Sequence, residues 1–90
     1  MSKPRKKRIS VGDIWTAKNA EFPDLRFLFK VVLAEVDSGD RQAFLAVKCR
    51  PWTKTLVIDG SSALWFDSFG VEIEPAGFVA FELLQKRRAR

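Results

Sequence analysis

The chain has 90 residues, 47% of them hydrophobic, with eight Phe, three Trp, one Cys and no His. That is enough apolar material for one small packed domain and too little length for a second. The missing His and the lone Cys49 exclude a structural zinc site, the usual Ser–His or Cys–His nucleophile pairs and an internal disulfide, so the fold must hold by packing and suits a reducing compartment.

The formal charge of +5 is unevenly placed. Nine of the 16 cations lie in residues 1–8 and 86–90, which hold no acid, and the seven between them face all 11 acids. The body is therefore mildly acidic, and the basic character belongs to the two ends.

"MSKPRKKR" (1–8) is a charge run without apolar periodicity and reads as a disordered basic tail. No apolar run follows it, and no later stretch approaches the roughly 18 apolar residues of a membrane span, so no secretory signal and no membrane are expected. Cytoplasmic residence is the expectation. A single β domain is expected over 9–85, with 86–90 as a second basic tail.

Within the domain, "VGDIWTAK" alternates as a strand anchored on Ile14 and Trp15 after a Gly12-Asp13 turn. "NAEFPDL" then breaks the pattern with Asn19, Pro23 and Asp24. "RFLFKVVLAEV" (26–36) places Phe27, Phe29, Val31 and Leu33 on one face at period two and is rich in aromatic and β-branched residues, which favours a strand over a helix. "DSGD" (37–40) is a tight turn, and "RQAFLAVKC" its hairpin partner. In that partner Ala43, Leu45, Val47 and Cys49 are expected inward, and Gln42, Phe44, Ala46, Lys48 and Arg50 outward.

"LVID-GS-SALWF" reads as a further hairpin turning at Gly60-Ser61. "VEIE-PAG-FVAFELL" has two readings. One is a hairpin through Pro75, Ala76 and Gly77. The other is a short C-terminal helix, because "ELLQKRRAR" has strong helix propensity. Five to seven short strands with turn signals about every ten residues argue for an all-β protein, a small strongly bent barrel or compact sandwich of SH3-like or OB-like size.

Catalytic chemistry is poorly supplied. "DGSS" (59–62) lacks the Gly-Lys-Ser/Thr of a phosphate loop. Asp59 and Asp67 read as a strand end and a turn opening rather than an acid–base pair, and Ser61, Ser62 and Lys54 as turn residues rather than a Ser–Lys dyad. A non-catalytic protein without cofactor or metal is expected.

Binding is better supplied. "KCRPWTK" (48–54) alternates Lys48, Arg50, Trp52 and Lys54, and Phe44 extends the same face. Such a strip suits single-stranded nucleic acid, whose phosphates meet the cations while bases stack on an indole. Against this, Pro51 confines the stretch to an edge or loop, and Trp52 serves equally as a plug at the end of the barrel. Arg5, Lys6, Lys7 and Arg8, with Lys86, Arg87 and Arg88, would add sequence-independent phosphate contacts. Adjacent Trp65 and Phe66 must point to opposite faces, so one of them, with Phe69, offers an aromatic anchor for a protein. Two functions follow: an accessory protein that contacts DNA or RNA through the phosphate backbone, or an adaptor or inhibitor that docks on a larger protein through exposed aromatics or an open strand edge.

Overall fold

The fold is taken from a computed structural model that describes residues 7–36, 39–52, 55–75 and 79–87, with the backbone alone over 51–52 and 55–62. Five strands form one antiparallel sheet: β1 (Ile14–Asn19), β2 (Phe27–Val36), β3 (Gln42–Trp52), β4 (Thr55–Asp67) and β5 (Phe81–Lys86), in the order β4-β3-β2-β1-β5. The protein is all-β, with no helix among the described residues.

Three irregularities curl the sheet into a half-barrel. Val32 is an extra residue on β2 between the pairs Val31–Ala46 and Leu33–Leu45. Leu84 is an extra residue on β5 between Thr16–Gln85 and Ala17–Leu83. On β4, the register jumps from Val47–Ala63 to Cys49–Ile58. Bulges of this kind bend the strand that carries them and increase its twist.

A short strap after β4 then ties the two edge strands together. The Asp67 amide donates to the Val71 carbonyl and the Ile73 amide to Trp65, while the Glu72 amide donates to Phe81 and the Leu83 amide to Gly70. Gly70 needs its missing side chain here. Its φ is +83°, and a Cβ would lie 3.0 Å from the Lys7 side chain and 3.1 Å from Leu83 Cβ.

The concave side of the curl is the core. Phe29, Val31, Phe66 and Leu83 are fully buried, and Trp15, Ala17, Phe44, Ala46 and Ile9 complete the cluster. Phe29 meets Phe66 and Phe81 edge-on, with ring centroids 5.5 and 5.4 Å apart. Each large side chain buried in this way stabilises the fold by about 1.5–3 kcal/mol.

Four sequence expectations are corrected. On β3, Phe44 and Ala46, expected outward, face inward, because β2 and β4 present Val31 and Phe66 beside them on the concave side; Ala43 and Cys49, expected inward, are buried too. Leu33 leaves the face of Phe27, Phe29 and Val31 because the Val32 bulge intervenes, and it is 41% exposed. Gly60-Ser61 is not a hairpin turn, since β4 continues from Thr55 to Asp67 and absorbs those residues in its register jump. Finally, 81–86 is strand rather than helix, paired along β1 from Asn19–Phe81 to Trp15–Lys86. No helix among the described residues is long and apolar enough to cross a membrane.

Candidate functional site

On β2 and β3 the strand-borne cations and acid lie at different ends, while Glu21 and Asp24 of the β1–β2 loop and Asp59 of β4 adjoin the cations. The start of β2 and the end of β3 lie together and carry Lys30, Lys48 and Arg50. At the opposite end, the end of β2, the start of β3 and the end of β4 carry Glu35 and Asp67, with Asp40 in the turn before β3 and Glu74 after the strap.

At the basic end, Lys48 pairs with Phe29 and so shares the concave face just where the core runs out. Its Nζ stands 5.0 Å from the centroid of the Phe27 ring. A cation over an aromatic face gains electrostatically while its aliphatic stem covers apolar surface. Phe27 is in turn fixed edge-on by Phe81, 5.2 Å away. Arg50, two residues further along β3, is exposed. Among the described residues neither Lys30 nor Arg50 has a carboxylate partner.

The other members of the expected strip are placed differently. Phe44 is a core residue, 6% exposed and opposite Phe66, so it is removed from the strip. The Trp52 backbone pairs with Thr55 at the β3–β4 end, and its side chain, like the whole of Lys54, lies outside the described residues. So do Arg5, Lys6 and Arg88. Lys7 is seated on the barrel: its amide donates to the Ser68 carbonyl and its ammonium to Leu83. Arg8 is exposed. Lys86 reaches the Asp13 carboxylate at 3.3 Å, and the Arg87 amide donates to Ile14.

The acidic end holds a groove of about 330 Å³, lined by Glu35, Arg41, Ala43, Trp65, Ile73 and Glu74. The outer-face row Leu33–Leu45–Trp65 runs across three strands toward it. Trp65 is half-buried on this face, while Phe66 beside it is completely buried and is removed as a docking anchor. Phe69 is 38% exposed. Asp67 is a turn former, its Oδ1 accepting from the Phe69 and Val71 amides. Glu72 braces the strap, its Oε1 accepting from the Phe81 amide at 3.0 Å. Two non-glycine residues near the groove, Asp40 and Glu74, take positive φ of 59° and 49°, an uncommon backbone state.

Sequence reasoning missed Glu35, Arg41 and Ile73 as groove residues. The signal that finds them is charge read along strand direction, once the β2–β3 hairpin is granted. Cys49 is buried, and desolvation pushes its thiol pKa up against smaller lowering effects of Lys30. Among the described residues, no three His, Cys, Asp or Glu side chains gather as a metal site. Known proteins add nothing. Comparison finds no matching family model, no similar characterised protein and no similar solved structure.

Proposed function

We propose that this chain is a non-catalytic, nucleic-acid-associated accessory protein whose basic end meets the phosphate backbone. The supporting observation is the placement of Lys48 and Arg50 on one β3 face, with Arg50 exposed and without an acidic partner among the described residues. The strand order, with a strap between β4 and β5, supports reading the domain as an SH3-like barrel. The single free Cys49 fits a cytoplasmic setting.

The test is fluorescence anisotropy with labelled single-stranded DNA, duplex DNA and RNA, titrated with the full chain and with Arg50→Ala and Lys48→Ala. Binding is expected to weaken steeply with salt, and each substitution should flatten the salt slope by about 0.7 for a single strand, as expected for one lost phosphate contact. No binding at low salt with any of the three probes sinks the proposal.

A second reading, docking on a protein, is favoured by the apolar row Leu33–Leu45–Trp65 and the 63% exposure of Val36 on the same strand. Under that reading Leu33→Asp abolishes capture of the partner and leaves polyanion binding unchanged.

A further inference from the structure

The Trp65 groove has an apolar floor of Ala43, Trp65 and Ile73, and its rim carries Glu35 and Glu74. Arg41 is on the same rim and is itself engaged in an interaction. The surface therefore suits a cation with a long apolar stem. Such a stem packs on the indole, as Lys48 does on Phe27, while its head meets a carboxylate.

Cations of this kind directly precede an anchored residue, Lys7. Lys7 is fixed by its amide to the Ser68 carbonyl and by its ammonium to Leu83. Ser68 directly follows Asp67, whose cross-strand row runs through Ala43 to Glu35. With strands about 4.8 Å apart, that row is about 10 Å long. The residues immediately before Lys7 are Lys3, Pro4, Arg5 and Lys6. An extended chain covers about 3.3–3.6 Å per residue, so Lys3 reaches about 13–14 Å from Lys7, enough to traverse the row. The rim carries Glu35 and Glu74 against Arg41, a net negative charge that complements the three cations.

We propose that the Trp65 groove is the docking site of this chain's own N-terminal basic segment, Lys3 to Lys6. The inference stands apart from the nucleic-acid reading, since it needs only the groove and the anchored Lys7. Its consequence is competition: cations held at Glu35 and Glu74 are withheld from any polyanion until that polyanion displaces them.

The test places a nitroxide on Ser2→Cys in a Cys49→Ser background and observes the Trp65 indole N–H and the Ala43 and Ile73 amides by NMR. These signals should be broadened away. They should return in Glu35→Gln/Glu74→Gln, and also at about 1 M salt, where screening acts within about 3 Å. A label-free control compares the unaltered chain with Lys3→Gln/Arg5→Gln/Lys6→Gln, which should shift the same three resonances and few others. Sharp Trp65, Ala43 and Ile73 signals in the labelled chain overturn the proposal, as do unmoved resonances in the triple variant. Broadening that also appears when labelled chains are mixed with unlabelled, isotope-enriched ones assigns the groove to a second copy and overturns it as well.

Discussion

Phe29 shows how much one side chain organises. It is fully buried and touches Phe66 of β4 and Phe81 of β5, so it links the middle of the sheet to both edges. Phe29→Ala should cost about 3–5 kcal/mol, read as a lowered urea midpoint. Cys49 tests burial by its chemistry. Its raised pKa keeps the folded thiol protonated where the unfolded thiol, with a pKa near 8.5, begins to ionise. Alkylation at mildly alkaline pH should therefore be slow in the native protein and fast in denaturant. By linkage, stability is unaffected by this group at lower pH and declines as pH rises past about 8.5 toward the folded pKa, because the unfolded state loses the proton first. Trp52→Ala separates the two roles open to that residue. A stacking indole loses about 1–3 kcal/mol of single-strand affinity with the melting temperature unchanged, whereas a barrel plug lowers the melting temperature.

At the scale of elements, the strap carries its own prediction. Glu72 is 9% exposed and its carboxylate satisfies the Phe81 amide. Glu72→Ala leaves that buried donor without a partner and should cost about 1–3 kcal/mol. Hydrogen exchange should accelerate at Glu72, Ile73 and Leu83, whose amides tie the strap to β4 and β5, before it does so at Val31.

The elements also show what was legible beforehand. The face of Phe27, Phe29 and Val31 could be read because three large apolar residues at period two leave no rival. It ended at Leu33 because a bulge leaves no local mark, and Val32 resembles its neighbours. On β3, alternation grouped Phe44, Ala46 and Lys48 correctly, but the choice of inward face depends on which strands flank it. Counting apolar residues favoured the face of Ala43, Leu45, Val47 and Cys49; Ala43 and Cys49 are indeed buried, but it is Phe44 and Ala46 that join the core cluster. Residues 81–86 have the composition of a helix, and pairing with β1 overrode that propensity. The groove was the least legible feature, because its lining comes from β2, β3, β4 and the strap, and no short motif spans them.

Considered whole, the molecule mixes its charges: Glu35, Asp67 and Glu74 share one end of the β2–β3–β4 strands with Arg41, and Lys30, Lys48 and Arg50 share the other with Glu21, Asp24 and Asp59. The pairing of β1 with β5 has a different reach. Residues such as Asn19 and Phe81 are neighbours across more than 60 positions of chain, and closing so long a loop is entropically expensive. Leu83→Ala should thus accelerate unfolding more than it slows folding, whereas Phe29→Ala should slow folding, as stopped-flow chevrons would show.

The β1–β5 pairing also matters during synthesis. A ribosome that has released β1 through β4 has made four-fifths of the sheet and none of its closure. Until Phe81 to Lys86 emerge, the edge of β1 and the rings of Phe27 and Phe29 remain open to water and to neighbouring nascent chains. Each copy thus passes through an adhesive stage that ends with its last strand. A stop codon just before residue 81 would make that stage permanent, leaving a product fit for proteolysis rather than a weaker version of the protein.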